Sequence, residues 1–448
     1  MEKDFVIEYI KKKNYWWKTG KIDEADRGLE RKEYIEQISN DLKLERIVCL
    51  TGIRRSGKTT LLFQLIDKLL KEKVNPERIV YIKIDDLLEK IEDIRDITSV
   101  YKELTGVDPK NEKVFFFFDE IHFFKKWQFQ LKDFIDSKYE SKFIISGSSK
   151  TLLYKNASES LVGRIRFVNV FPLTFKEFVS FNDLKLINQE TLNFEVIKKF
   201  YYELLPDKES ILHLFRQYLD VGGFPEWFKI KDLKQWQRTL VDDYLSLILF
   251  KDIVFVFKIK DPILLEKLVN ETALFSTNRF SYTKLSNRLD ADRETIKLYL
   301  YYLLSSGLIF ISEVYFKSKK VRERIEKKIY FWEEGLRRAL TLDEDEGKAV
   351  ENVTAWHLIK KGIKEEVFFR PFYWKNDYEV DFVLNGKKPI PIEVKYREKT
   401  IDTKGLLEFM EKFDTAQGIV VTKDILDKKI VEGREILFIP AWVFLLIL

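Results

Sequence analysis

Cysteine is almost absent from this chain. The 448 residues contain one, Cys49, so no intramolecular disulfide can form, and Cys49 reads as a small core residue. Methionine (2) and histidine (3) are nearly as scarce, and no Cys/His cluster has the spacing of a zinc site. Long hydrophobic runs are missing too. The longest, Ile436 to Leu448, contains Pro440; it is too short to cross a bilayer and reads as a final core strand. Met1-Glu2-Lys3-Asp4 is charged and no apolar stretch follows it, so no signal peptide is expected, and the expected location is cytoplasmic with no membrane partner. Neither an internal repeat nor a low-complexity segment interrupts the pattern.

Charge is what the chain has in quantity. Charged residues make up 34% of it, against about a quarter in ordinary soluble proteins. Lys, Glu and Ile are abundant, a bias that resembles thermophile composition. The net charge is +5 with a pI near 8.7, which permits contact with nucleic acid without requiring it. Hydrophobic content of 45% is that of a folded protein, and the length suggests about three domains.

Gly52-Ile53-Arg54-Arg55-Ser56-Gly57-Lys58-Thr59 fits G-x-x-x-x-G-K-[ST], the phosphate-binding loop of nucleoside triphosphatases. Its context is right. Arg46 to Leu50 before it reads as a buried strand, and Thr60 to Ile66 after it opens a helix with apolar residues at helical spacing. Backbone N–H groups from Gly52 through Thr60 and the helix N-terminus can then converge on phosphate. Lys58 is expected at the β- and γ-phosphates of ATP, and Thr59 on Mg2+.

Phe115-Phe116-Phe117-Phe118-Asp119-Glu120 supplies the matching half. Four apolar residues predict a strand buried on both faces, with two acids at its C-terminal end, where open α/β sheets bind ligands. Asp119 is the candidate metal ligand and Glu120 the candidate base for the attacking water. Phe143 to Ser149 predicts a strand ending in small polar residues; Ser148 is the candidate γ-phosphate sensor, with a simple turn as the alternative. Arg164, after Gly163, is a candidate arginine finger acting on a neighbouring copy, with a solvated arginine as the alternative. His122 completes an Asp-Glu-Ile-His string like one found in helicases, but without the rest of that pattern it is expected to be a packed or surface residue.

Strands are predicted at Ile47–Leu50, Ile79–Ile84, Val114–Phe118, Phe143–Ser146 and Arg166–Val170, with helices between most of them, hence a mostly parallel sheet covered on both faces. The order of motifs resembles the archaeal-type, AAA+-like P-loop ATPases. It runs from Thr51–Thr60 through Phe118-Asp119-Glu120-Ile121, Trp127, Ile145–Ser149 and Leu161–Arg164. It continues with Phe171-Pro172-Leu173-Thr174-Phe175-Lys176-Glu177-Phe178 and ends at Gly222-Gly223-Phe224-Pro225-Glu226. The resemblance implies an AAA+-like sheet order and a small helical lid near 210–235.

Two further modules are predicted. Ser281 to Leu289 reads as a helix, Asp290-Ala291-Asp292 as a turn, and Arg293 to Ser305 as a second helix. Ile296, Tyr299, Leu300 and Leu303 are its buried side, and Arg293, Glu294, Lys297 and Tyr301 its outward face. A strand follows Gly307. This order resembles a winged helix. Lys317 to Lys328, with seven basic and two acidic residues, would be a wing lying against DNA phosphates. Docking to a protein partner is the alternative.

In the last hundred residues, Glu379 to Leu384 and Pro391 to Lys395 predict a hairpin around Asn385-Gly386. A loop centred near Lys387 would set Asp381 opposite Glu393, whereas a tight turn at Asn385-Gly386 would offset them, so a bulge or longer loop is required. Glu393 and Lys395 share a face, and a helix opening at Gly347 could present Glu351 to the same point. Three carboxylates could hold one or two hard cations, with Lys395 assisting a water. The set Glu351, Asp381, Glu393, Lys395 resembles the PD-(D/E)xK restriction-endonuclease-like fold, in which the ATPase family above commonly ends.

The expected fold class is therefore α/β: a helical lead-in (1–44), a P-loop ATPase core (45–175), a helical lid and connector (176–260), a winged helix (261–330) and a nuclease-like domain (331–448). Two functions fit. One is a Mg2+-dependent ATPase coupled to DNA binding or processing. The other is a nucleotide-dependent switch that gates a protein assembly, of its own copies or of another protein, over an inactive nuclease-like scaffold.

Overall fold

The computed structural model describes residues 3–448 except 89, 92, 148–160, 188, 317, 365–371, 387 and 397–400. The chain divides into two compact units, residues 1–170 with 305–307, and residues 171–304 with 308–448.

The first unit is built on five strands: β1 (Ile47–Thr51), β2 (Ile79–Lys83), β3 (Phe115–Asp119), β4 (Lys142–Gly147) and β5 (Ile165–Asn169). Their order is β2-β3-β4-β1-β5, and every neighbouring pair is parallel. All five expected strands are present. Because strand side chains alternate, each strand feeds two cores. Cys49, Phe116, Phe118, Phe143 and Ile145 face one side. There they meet α1 (Lys3–Lys13), through Val6 and Ile10, together with two helices that follow β2 and β3. Val48, Leu50, Phe115, Phe117 and Ile144 face the other. On that side lie α2 (Trp16–Thr19), α4 (Lys32–Asp41) and α5 (Lys58–Lys71), with the short α3 (Glu24–Arg27) packed on α5. The helix after β2 is α6 (Ile94–Thr105) and that after β3 is α7 (Trp127–Asp136). The rings of Phe116, Phe118, Phe143 and Phe134 stack at 5.1–5.9 Å. Burying each such ring contributes about 1.5–3 kcal/mol, so this phenylalanine slab anchors the strand that ends in Asp119. Cys49 is fully buried, which pushes its thiol pKa up.

The second unit opens with helices; among the described residues no strand falls between Phe175 and Leu274. Thr174 and Glu177 form a reciprocal cap on the first helix, Phe175–Ser180. Gly222 and Gly223 break the chain after the helix Lys208–Val221, as expected, and the reason lies far along the sequence. Glu333 Oε1 accepts hydrogen bonds from Gly223 N at 2.8 Å and Gly335 N at 3.3 Å. A Cβ on Gly222, whose φ is +77°, would fall 1.4 Å from that oxygen.

Nine strands then form one mixed sheet: β6 (Arg279–Phe280), β7 (Ile309–Val314), β8 (Lys327–Phe331), β9 (Phe372–Lys375), β10 (Glu379–Leu384), β11 (Ile390–Lys395), β12 (Gln417–Thr422), β13 (Asp427–Val431) and β14 (Arg434–Pro440). Their order is β13-β14-β12-β11-β10-β9-β7-β8-β6. Segments 261–330 and 331–448 thus share a sheet, joined where β7 pairs parallel to β9 through Glu313 with Phe372 and Val314 with Tyr373. The helices Tyr282–Leu289 and Arg293–Ser306 precede β7. On the second, Ile296, Tyr299, Leu300 and Leu303 are buried, while Arg293, Glu294, Lys297 and Tyr301 are exposed.

Two expectations need correction here. The apolar C-terminus is not a final strand: β14 stops at Pro440, and Ala441–Ile447 is a buried helix that begins just after that proline. The basic run is not one exposed wing. Lys319–Arg324 is a short helix, and Lys327 and Lys328 sit in β8 and are buried. Lys317 lies outside the described residues.

Candidate functional site

Parallel strands bring their C-terminal ends to one edge, and three of those ends carry the candidate chemistry. β4 lies between β1 and β3, so the loop after β1 and the acids after β3 flank it. The loop needs its glycines. A Cβ on Gly52 would meet the carbonyl oxygen of Val170 at 2.1 Å, and Gly57 has a φ of +93°. Arg55 also takes a left-handed conformation, with φ +66°, a strain of the kind held at ligand-binding turns. Lys58 is 5% exposed, and its Nζ hydrogen-bonds the carbonyl oxygens of Gly52 and Ile53 at 2.9 Å each. The ammonium is folded back on the loop that would carry phosphate.

Asp119 is fully buried and held from several sides. Thr59 Oγ1 donates to its Oδ2 at 2.7 Å, and the Tyr81 phenol donates to the same oxygen at 2.9 Å. Ser146 Oγ contacts Oδ1, and Glu120 N lies 3.2 Å from both Oδ1 and Ser146 Oγ. Burial, then the neighbouring Asp119, push the Tyr81 pKa far up, so the phenol stays a donor. Thr59 and Asp119 are the pair a P-loop enzyme uses around Mg2+. A hydroxyl and a buried carboxylate 2.7 Å apart form the hard-oxygen donor set that ion prefers. Ser56 Oγ adds a buried hydroxyl on the loop that makes no hydrogen bond to any described residue. The residues present fit a nucleotide with Mg2+.

Glu120 begins the next turn with φ +55°. This left-handed kink turns its side chain off the strand line, and Oε2 lies 3.2 Å from His122 Nδ1. The His122 side chain is only 4% exposed. It is packed, as the sequence suggested, but packed against the candidate base.

The other two candidates stand elsewhere. Ser148 lies outside the described residues. Arg164 precedes β5, and its carbonyl oxygen accepts from Ile47 N at the start of β1. It is therefore at the N-terminal edge of the sheet, about 16 Å of strand away from the loop, and it pairs with Asp136 at 2.9 Å. It cannot reach phosphates held by Lys58 of the same copy.

Four residues at the nucleotide edge were not singled out from sequence. Ser146 and Tyr81 position Asp119. Arg31 is 4% exposed and donates from Nη1 to the carbonyl oxygen of Ser56 at 3.1 Å, bracing the loop. Gln64 ties α5 to the same lead-in through the carbonyl oxygens of Arg27 and Leu29. Ser146 had a signal, being the last residue of the predicted strand Phe143–Ser146. The others are brought in only by folding.

The C-terminal candidates also come together. β10 and β11 pair with Phe382 opposite Ile392 and Leu384 opposite Ile390, a register that carries Asp381 opposite Glu393. Asp381 Oδ2 accepts from Val394 N at 2.9 Å. Lys395 Nζ pairs with Glu393 at 2.7 Å. Burial and the charge of Asp381 push both Glu351 and Glu393 up to about 7. One residue was unforeseen. Lys328 of β8, with its side chain 3% exposed, places Nζ 3.0 Å from Glu351, 2.9 Å from Glu379 and 2.9 Å from Asp381. Tyr330, two residues on and so on the same face, donates to Glu351 at 2.8 Å. Among the described residues no group of three His, Cys, Asp or Glu is placed to hold a metal ion, which departs from the expected site of Glu351, Asp381 and Glu393.

No helix among the described residues is long and apolar enough to cross a membrane. Residues 44–179 match the family model of an AAA domain. Residues 212–346 and 346–442 match models of two domains of unknown function, DUF8612 and DUF4143. An uncharacterized protein of Methanocaldococcus jannaschii is 29% identical over 383 residues, covering 82% of this chain and 79% of that protein. An uncharacterized protein of Haemophilus influenzae is 24% identical over 426 residues, covering 92% and 98%. Among solved structures, the Walker-type ATPase of Pyrococcus abyssi is similar at 17% identity and a TM-score of 0.45, covering 70% of this chain and 96% of that one. Residues 44–179 thus carry an AAA domain, and its parallel sheet with the glycine-bearing loop after β1 is a P-loop fold.

Proposed function

We propose that this chain is a Mg2+-dependent ATPase whose turnover is coupled to DNA binding through the segment 281–331. One observation carries the ATPase half: Thr59 of the phosphate loop and Asp119 of β3 share a 2.7 Å hydrogen bond. Two sequence-distant motifs therefore meet at one point. Bound Mg2+ would supply charge neutralisation of the phosphates. Thr59 and Asp119 would hold that ion, with Tyr81 and Ser146 fixing the Asp119 carboxylate. Lys58 would leave the carbonyl oxygens of Gly52 and Ile53 for phosphate oxygens, exchanging neutral acceptors for charged ones. Glu120 would accept a proton from the attacking water as the terminal phosphoryl group leaves the rest of the nucleotide.

The DNA half rests on exposed cations: Arg293 and Lys297 on one helix, Lys320 and Arg324 on another. Lys297 is shared with Glu294 at 3.1 Å, so the face is less basic than its sequence. The resemblance to a winged helix supports placing it against a duplex. Any role for Arg164 as a finger requires a second copy, because of its place at the far edge of the sheet.

A second reading has its own support. Lys328 among Glu351, Glu379 and Asp381 favours a scaffold without metal-dependent cleavage, in a switch that gates a protein assembly. Steady-state ATPase assays of the wild type and Lys58→Ala, with and without duplex DNA, test both. The proposal expects Mg2+-dependent hydrolysis lost in Lys58→Ala, and stimulation by DNA that fades as salt rises. No hydrolysis by wild type refutes the ATPase reading. Hydrolysis indifferent to DNA refutes the coupling and leaves the switch.

A further inference from the structure

We infer that the carboxylate cluster of the C-terminal sheet is a cation site whose resident cation is the Lys328 ammonium, so it does not take a divalent metal while Lys328 is in place. The ground is the coordination around Nζ. An ammonium has three N–H donors, and here Glu351, Glu379 and Asp381 lie at 3.0, 2.9 and 2.9 Å. Two of these donors are met by charge-assisted hydrogen bonds, to Glu351 and Asp381, and Glu379 stands at ion-pair distance. Other partners reach the same carboxylates. Tyr330 donates to Glu351 and Val394 N to Asp381, while Arg279 reaches Glu379 at 3.2 Å.

Charge agrees with geometry. Four carboxylates (Glu351, Glu379, Asp381 and Glu393) face three cations, Lys328, Arg279 and Lys395. Even with all four carboxylates ionised the excess is one negative charge, too little to hold a divalent ion beside a buried ammonium. The residues present therefore do not fit the metal that the nuclease-like resemblance implies.

The arrangement has a second effect. Lys328 belongs to β8, Glu379 and Asp381 to β10, and Glu351 to the helix Glu346–Lys364. β9 and β7 separate β8 from β10 in the sheet, so the ammonium spans two intervening strands on one face. It ties the helix–turn–helix segment to the C-terminal sheet.

The inference stands apart from the ATPase reading, and its test silences that site. Full-length Asp119→Asn protein, free of nucleotide, is titrated with Mn2+ and read by electron paramagnetic resonance. With Lys328 present, no Mn2+ should bind that a further Asp381→Asn change removes. Lys328→Met in the same background should gain one Mn2+ site, lost again with Asp381→Asn. Without metal, Lys328→Met should melt lower by roughly 5–15 °C, the scale of a broken buried ion cluster. Added Mn2+ should restore part of the loss, whereas Lys320→Met should not move the transition. Mn2+ binding that depends on Asp381 while Lys328 is intact overturns the inference. So does a Lys328→Met protein as stable as its parent. Should Lys328→Met fail to fold while Lys320→Met folds, the ammonium's structural role is supported, and the titration with Lys328 intact still decides on the metal.

Discussion

Replacing Tyr81 by Phe removes one oxygen and little else, because the ring is buried against Phe63 of α5 and stays in place. The lost phenol donates at 2.9 Å to Asp119 Oδ2, the oxygen that also accepts from Thr59. A hydrogen bond to a charged, buried acceptor is worth about 1.5–3 kcal/mol. That corresponds to roughly 10–100-fold in metal affinity, the range found when partners of metal-binding carboxylates are removed. An opposing effect exists: with one donor fewer, the carboxylate becomes a stronger ligand. It is the smaller effect, because Thr59, Ser146 and Glu120 N still polarise Asp119, while the lost orientation is not replaced. ATP hydrolysis measured against Mg2+ at fixed saturating ATP separates the outcomes. The half-saturating Mg2+ concentration should rise about tenfold or more, with kcat recovering at high Mg2+. Glu120→Gln is the contrast: kcat should fall about 100-fold or more and the Mg2+ midpoint stay put. An unchanged midpoint in Tyr81→Phe, or a kcat that excess Mg2+ cannot rescue, refutes the view that Tyr81 serves the ion through Asp119.

Further outcomes can be measured directly. Burial lifts the Glu333 carboxyl from 4.5 to about 8, so the folded chain keeps a proton that the unfolded chain loses above pH 4.5. Stability from this group is present at low pH and is lost as pH rises toward 8, by about 3–5 kcal/mol in all. Glu333→Gln keeps an acceptor for Gly223 N and Gly335 N, so urea unfolding should match wild type near pH 4.5 and exceed it near pH 9; parallel pH profiles contradict the assignment. Arg31→Gln should raise the KM for ATP with little change in kcat, since Arg31 braces the loop without touching the reacting atoms. Lys320→Glu combined with Arg324→Glu should weaken duplex binding and lower the slope of log K against log salt by about 2, and an unaltered slope places DNA elsewhere.

How much of this was legible depends on distance along the chain. The phosphate loop and Asp119-Glu120 are contiguous strings, each bounded by a strand that its own composition announces, and four phenylalanines in a row leave little doubt about β3. The residues that hold those strings in place come from far away. Tyr81 reaches Asp119 across 38 positions and Arg31 reaches Ser56 across 25, and neither has a local signature. Lys328 shows the limit most clearly. In the sequence it ends a basic run and looks solvated. In the fold it is the second residue of β8, and strand alternation turns it inward onto acids up to 53 positions away. The hairpin register was left open by the sequence, because a tight turn at Asn385-Gly386 would offset Asp381 from Glu393; the pairing of β10 with β11 sets them opposite. The final helix was not legible, because an apolar run alone does not say whether a proline interrupts a strand or starts a helix.

The pairing of β7 with β9 has a bearing on how this protein can be dissected. A chain ended near residue 345 would keep β7 and β8 but leave the side of β7 at Glu313, Val314 and Tyr315 without the backbone partners supplied by Phe372 and Tyr373. Such a bare margin invites another molecule to add itself. Precipitation of the shortened protein would then reflect an orphaned seam, and would say nothing about whether the missing portion matters for turnover.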